Sequence, residues 1–395
     1  MPNFIRASVR MAKRGRIDPS TRERQRKDRE RGMLSRVPKA GVAVLAAAML
    51  LGGTLSTAHA GQLFKYKTYK VPTDNSQPRS ITVGSDGNLW FTEGAQVFTP
   101  NADPDTGGTF HSNIGRITPG GDITEFRVDC NCLLSDIVQG PDGFLYFSST
   151  AGLGRIGTDG VVQSFINAPF SVGGNDLAAH GDNIWLTDVN RRSLWRYDTT
   201  SGESTEFPIG DGSLFGPSDL AVDSSGKVWF GASAEQGVIG HLDPTVVDDP
   251  ATPARENVRT FNVTGVPSSL SLATDGKVWF TDRIRDTVGY LDPNNNNEVR
   301  QFPTLTPDAG PQHIAAASDG SMWFTQANIG NAARITPQGE ITEAGKAIGD
   351  DPDSGFENAL GIAVLADTDG PEGPAGESVW FTMEAANKVA ALREN

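Results

Sequence analysis

A nine-residue run, Ser85-Asp-Gly-Asn-Leu-Trp-Phe-Thr-Glu93, constrains this chain more than any other feature, because it returns. It reappears as Asp142-Gly-Phe-Leu-Tyr-Phe-Ser148, Asp182-Asn-Ile-Trp-Leu-Thr-Asp188, Ser225-Gly-Lys-Val-Trp-Phe230, Asp275-Gly-Lys-Val-Trp-Phe-Thr-Asp282, Asp319-Gly-Ser-Met-Trp-Phe-Thr-Gln326 and Glu377-Ser-Val-Trp-Phe-Thr382. The first copy opens on a turn signal, Asp86-Gly87, and continues as a run of strand-forming residues, which reads as a hairpin. Trp90, Tyr146, Trp185, Trp229, Trp279, Trp323 and Trp380 mark the copies, at intervals of 56, 39, 44, 50, 44 and 57 residues. Short strands repeated at about 40 to 50 residues specify propeller blades, one per copy. The expected fold is therefore all-β, a seven-bladed β-propeller, and the Trp-Phe pairs are expected to pack between adjacent sheets.

The ends of the chain suggest how the ring closes. Leu63-Phe-Lys-Tyr-Lys-Thr-Tyr69 alternates like the outer strands found later, Ile123–Phe126, Thr205–Phe207, Val258–Phe261 and Val299–Phe302. It precedes the first inner strand, whereas the last blade runs out at Lys388–Leu392 after three strands. An N-terminal strand that completes the last blade removes both sheet edges. The long stretches Gly94–Ser112, Pro244–Glu256, Glu343–Asn358 and Ala366–Gly376 are rich in Pro, Gly, Asp and Asn and read as loops.

Residues 1–60 differ from the rest. The first 40 carry 13 Lys/Arg against four acids, then come the apolar run Gly41–Gly52 and Ala58-His59-Ala60. That order reads as a basic leader and a Sec-type secretory signal cleaved after Ala60, the alternative being a retained N-terminal anchor, and Met33 would start a signal of ordinary length. Residues 61–395, the expected propeller domain, then hold 21 basic and 44 acidic residues, a net of −23. Such a surface excludes nucleic acid as a partner and suits a secreted or extracytoplasmic monomer without a stable membrane span. Cys130 and Cys132, the only cysteines, read as a local disulfide in an exported protein.

Strand direction places the starts of inner strands and the ends of second strands on one face, with the Asp-Gly turns on the other. Just before the first apolar residue of each inner strand stand Ser80, Asp136, Asp176, Asp219, Ser269, His313 and Gly361. At the second-strand ends stand Glu93, Ser149, Asp188, Ala232, Asp282, Gln326 and Met383. A channel mouth lined by Asp136, Asp176 and Asp219 suits oxygen ligation of Mg²⁺ or Ca²⁺. His313, with Glu93 or Asp282, supplies candidate acid–base groups. Alternatively, each Asp caps a neighbouring backbone amide. Arg79, Gln312, Gln326 and Asp188 complete the expected ligand-facing set.

The unit Ser-Asp-Gly-x-Leu/Val-Trp-Phe-Thr-Glu/Asp, followed by Ile-Gly-Arg-Ile-Thr-Pro and Ile-Thr-Glu-Phe, resembles the virginiamycin B lyase (streptogramin lyase) family over about residues 63–395. The resemblance implies a seven-bladed propeller and Mg²⁺-dependent elimination that opens a cyclic depsipeptide at its ester, without water as a reactant. It also implies a His fourteen residues before the Glu that closes a Trp-Phe-Thr-Glu strand, and another Glu two residues before that His. Counting back from Gln326, Asp282 and Glu93 gives Gln312, Ser268 and Arg79, and two before Gln312 stands Gly310. His313 is one residue off. Two functions follow as expectations. One is a propeller that binds a small-molecule, peptide or protein partner on its channel face; the other is a divergent carbon–oxygen lyase.

Overall fold

The computed structural model describes residues 64–100, 108–163, 165–166, 176–210, 216–233, 237–247, 256–345, 358–366 and 376–394. The leader and signal expected over 1–60 lie outside the described residues.

Seven antiparallel sheets form, each starting at the inner strand that precedes one copy of the repeat. Blade 1 runs Pro78–Val83, Leu89–Glu93, Gly108–Ile117 and Ile123–Val128, with the extra strand Val97–Pro100 paired to the overhanging start of its third strand. Among the described residues blade 2 holds three strands, with two isolated bridges, Leu153–Ile166 and Ile156–Val162, beside the third. Blades 3 to 6 each hold four consecutive strands. In blade 7 the strands Ala359–Ala366, Glu377–Met383 and Lys388–Glu394 are joined by Phe64–Lys70, in register from Phe64↔Glu394 to Lys70↔Lys388. The N-terminal strand thus closes the ring, as the unmatched ends required.

The repeat explains the core residue by residue. Successive side chains on a strand face opposite ways, so Trp and Phe of one blade serve different seams. Trp90 of blade 1 packs with Ile137, Leu145 and Phe147 of blade 2. Trp229 of blade 4 packs with Leu270, Val278 and Phe280 of blade 5, and Trp380 of blade 7 packs with Ile81, Leu89 and Phe91 of blade 1. Each Trp therefore points forward into the next blade and each Phe meets the preceding Trp. Burying one such aromatic side chain stabilises by roughly 1.5–3 kcal/mol relative to leaving it exposed.

Two smaller motifs serve this packing. The Asp of the turn holds the ring that follows it: Asp86 Oδ1 accepts from Trp90 Nε1 at 3.1 Å, and Asp142 Oδ2 from the Tyr146 hydroxyl at 2.9 Å. The Gly of the third strand lets the Phe lie flat. A Cβ at Gly115 or Gly240 would sit 2.0 Å from the ring of Phe91 or Phe230. Cys130 and Cys132 are bridged, and the loop they form accepts Ser112 Oγ at the Cys132 carbonyl. Among the described residues, no helix is long and apolar enough to cross a membrane.

Candidate functional site

The mouth of the channel is built where the inner strands begin, and there the backbone is irregular. In blades 1, 2, 4, 6 and 7 the pairing of inner with second strand slips, between Pro78 and Ile81, Leu134 and Ile137, Pro217 and Asp219, Pro311 and Ile314, and Ala359 and Ile362. A β-bulge re-aims side chains and breaks the alternation of faces. Both residues of Arg79–Ser80, Ser135–Asp136, Ser218–Asp219 and Gln312–His313 consequently line one depression of about 320 Å³, together with Asp176, Ser268, Asn358, Leu360 and Glu384. His313 is therefore not turned away by its one-residue offset, as strict strand alternation would require.

The threonine of Trp-Phe-Thr ties the mouth together, a role the sequence pattern alone did not reveal. In blade 6, Thr325 Oγ1 accepts from His313 N at 3.1 Å and donates to the Leu360 carbonyl of blade 7 at 2.7 Å. Thr92 does the same for Ser80 N (3.2 Å) and the Ser135 carbonyl (2.8 Å). Thr281 donates to the Gln312 carbonyl at 2.6 Å, and Thr382 to that of Arg79.

The three aspartates form a staircase of caps between blades. Asp136 Oδ2 accepts from Leu177 N at 2.7 Å, Asp176 Oδ2 from Leu220 N at 3.2 Å, and Asp219 Oδ2 from Leu270 N at 2.6 Å. The other oxygens are also engaged: Asp136 Oδ1 accepts the Ser80 hydroxyl, and Asp219 Oδ1 accepts Leu220 N at 2.6 Å. Asp176 stands beside the Asp219 carboxylate, which bears on its charge. Burial, then the charges of Asp219 and Asp136, push its carboxyl well above the ordinary range. Burial also raises Asp136, against the pull of the Ser80 hydroxyl, two backbone amides and His313 across the mouth. A neutral Asp176 gives the Asp176–Asp219 contact the proton it needs. The Mg²⁺ that the resemblance implies does not fit this donor set, in which five of the six carboxylate oxygens accept from backbone amides or the Ser80 hydroxyl. Among the described residues no three of His, Cys, Asp and Glu gather as metal ligands.

The staircase stops at blade 5, where Ser269 Oγ accepts Ile314 N at a long 3.4 Å. On the remaining arc, blades 6, 7 and 1, the bulges carry Gln312, His313, Leu360, Gly361, Arg79 and Ser80. Arg79 Nε donates to Glu384 Oε1 at 3.0 Å across the seam of blades 7 and 1, and Glu384 also accepts from Asn358 Nδ2. A Cβ at Gly94 would lie 2.3 Å from Arg79 Nε, so the bare backbone there is what lets the guanidinium reach Glu384.

The second-strand ends do not reach the channel, contrary to the expectation for Glu93, Asp188, Asp282 and Gln326. All four are buried at the mouth-side rim but one strand further from the axis, beneath the loops that cross there. Loop amides capture two of them: Asp282 accepts from Val266 N, Ile284 N and Arg285 N, and Asp188 from Arg191 N at 2.9 Å. Glu93 accepts from Asn113 Nδ2 at 3.3 Å, and Gln326 donates to Glu343 at 3.1 Å. Of the residues expected to act, Asp136, Asp176, Asp219, His313, Arg79 and Gln312 share the mouth. Leu360, Asn358 and Glu384 were missed. The insertion after Ala366 lengthens the count back from Met383, so spacing could not find Leu360. Register does: Leu360 follows the paired Ala359 as Gln312 follows Pro311. The equivalent residues in the other described blades are Arg79, Ser135, Ser218 and Ser268, and none is His.

With this geometry in hand, known proteins offer a comparison. The model of the virginiamycin B lyase family matches residues 56–247 and 251–395. A virginiamycin B lyase from Nocardia farcinica is 27% identical over 178 residues, 44% of this chain and 56% of that protein, so the match spans little more than half of that relative. A streptogramin B lyase structure superposes with a TM-score of 0.66 at 20% identity, over 86% of this chain and 100% of that one. A catalytically inactive histidine-to-alanine variant of virginiamycin B lyase from Staphylococcus aureus, with quinupristin, gives 0.64 at 22% identity over 84% of this chain and 100% of that one. The seven blades, the closing strand and the family match over nearly all of residues 56–395 lead to one assignment: the chain belongs to the virginiamycin B lyase family.

Proposed function

We propose that the protein is an exported propeller that binds a small-molecule or peptide ligand on the arc of its mouth formed by blades 6, 7 and 1. One observation carries this reading. The carboxylates of blades 2 to 4 are consumed in holding neighbouring blades, while Gln312, His313, Asn358, Arg79 and Glu384 face the depression. Those groups offer amide, imidazole and guanidinium donors and carboxylate acceptors to a ligand rich in carbonyls and N–H groups. At the register position where the resemblance implies a histidine, Gln312 stands in blade 6 and Leu360 in blade 7, and neither side chain accepts a proton. A binding role without turnover follows.

The test is incubation with a type B streptogramin and Mg²⁺, read by mass spectrometry and chromatography. The expected result is intact antibiotic; a linear product of unchanged mass would overturn the reading. That outcome favours the second reading, a divergent lyase with His313 as the acid–base group, which rests on the imidazole's place opposite Asp136. Calorimetric titration with Ca²⁺ and Mg²⁺ is expected to show no binding heat, and measurable uptake would restore a cation at the mouth. Export predicts an N-terminus at Gly61 in the secreted protein, read by Edman or mass-spectrometric sequencing.

A further inference from the structure

Blades 1 and 6 share an arrangement on the mouth-side rim, one strand out from the channel, differing in one atom type. In blade 6, Glu343 on the outer strand accepts from Thr306 N (2.9 Å) and Thr306 Oγ1 (2.7 Å), which fastens the segment entering that blade. Gln326, at the second-strand end, donates Nε2 to the same carboxylate at 3.1 Å. In blade 1, Glu125 accepts from Thr73 N (2.8 Å) and Thr73 Oγ1 (2.9 Å), fastening the segment that leads from the closing strand into the ring. Glu93 stands where Gln326 stands, next to Asn113 as Gln326 is next to Asn331. Glu93 is buried, and its Oε1 has no partner. Two carboxylates meeting in such a place repel, whereas the amide of Gln326 donates.

We propose that Glu93 is kept as the neutral acid at neutral pH, donating to Glu125 as Gln326 donates to Glu343, and so acts as a proton-dependent latch on the segment 71–78 that closes the ring. Burial, and next the charge of Glu125, push Glu93 up to about 8, while Asn113 and Ser76 pull the other way. The remaining charges nearby are paired among themselves. Lys70 holds Asp74 in the closing segment, Arg127 holds Asp129 on the outer strand, and Arg79 holds Glu384 at the mouth. His111, further along the third strand, is held below its ordinary range chiefly by burial. The latched segment runs directly into Arg79, and Gly94 N and Ala95 N bond back to Gln77 and Ser76. Loss of the proton therefore loosens both the ring seam and the residue that reaches the ligand-facing arc.

The sign follows from the raised value. The folded latch holds its proton at a pH where an opened, solvated Glu has lost it. Opening is hardest below about 4.5 and becomes easier as pH rises toward about 8, by up to tenfold per pH unit. Hydrogen-exchange protection factors of the full chain, measured from pH 6 to pH 9 at Thr73, Gly94 and Ala95, read this directly. The parent should lose protection with pH and level off above about pH 8. Glu93→Gln should hold its protection flat across the range, and Gln326→Glu should bring the same alkaline loss to Thr306. An unchanged pH profile in Glu93→Gln, or an unaltered Thr306 in Gln326→Glu, overturns the latch. A Glu93→Gln chain that fails to fold overturns it as well, since the amide is held to do what the protonated acid does.

Discussion

The two arcs of the channel mouth are made from the same strand positions but different chemistry. On blades 2 to 4, acids reach across each seam and hold the first apolar amide of the next inner strand. On blades 6, 7 and 1 the corresponding residues are His313, Gly361 and Ser80, and the seams rest on threonine hydroxyls bonded to carbonyls. Those seams hold without a carboxylate cap, so the acids are an added structural layer on one side. Where that layer is missing, Gln312, His313 and Arg79 line the depression without capping an amide of the next blade. A ring of sevenfold design thus carries the carboxylate caps on only part of its circumference.

Substitutions can break this contrast. The largest effect is expected from Asp219→Ala, which leaves Leu270 N without its acceptor in a buried place. Urea denaturation should show a loss of about 2–3 kcal/mol, the usual cost of removing a charged partner from a buried hydrogen bond. A change within about 0.5 kcal/mol, the ordinary surface value, would mean the acids of that arc are not structural. Next comes Thr325→Val, which removes both bonds of the hydroxyl between blades 6 and 7 while keeping its shape. A loss of about 1–2 kcal/mol is expected for two neutral hydrogen bonds.

A smaller effect concerns pH. Because Asp176 is raised above its ordinary value of 3.8, its favourable contribution is whole in acid and declines as pH climbs toward its folded-state value. Asp176→Asn should flatten that decline in thermal melts taken from pH 4 to pH 8, because an amide can donate to Asp219 and accept from Leu220 N at any pH. A parent whose stability rises across the same interval through this residue would contradict the neutral acid. The smallest effect on stability is expected at the other arc. His313→Ala and Arg79→Ala should each change it by no more than about 1 kcal/mol, because the Arg79–Glu384 pair is partly solvated. If the proposed function holds, the same two changes should abolish capture of any ligand the parent binds, as read by calorimetry.

Much of this was legible in the linear chain, and the reason is that the information was local. Turn residues, period-two alternation and one aromatic pair, repeated seven times, specify seven small sheets, and unmatched ends specify how they close. Even the pairing of Phe64–Lys70 with Lys388–Glu394 follows from counting strands. What the tertiary structure alone decided is where individual side chains go. Asp136, Asp176 and Asp219 find their amides 41, 44 and 51 residues away in the next blade, and no local pattern announces that partner. Glu93 and Asp282 lie at strand ends that strand direction places on the mouth face, but they are buried there, away from the channel. Gln312 and His313 both reach the mouth because a bulge cancels the rule that neighbours on a strand face apart. Repetition encodes a scaffold through short-range geometry, whereas a site depends on contacts between repeats, which exist only once the ring has closed.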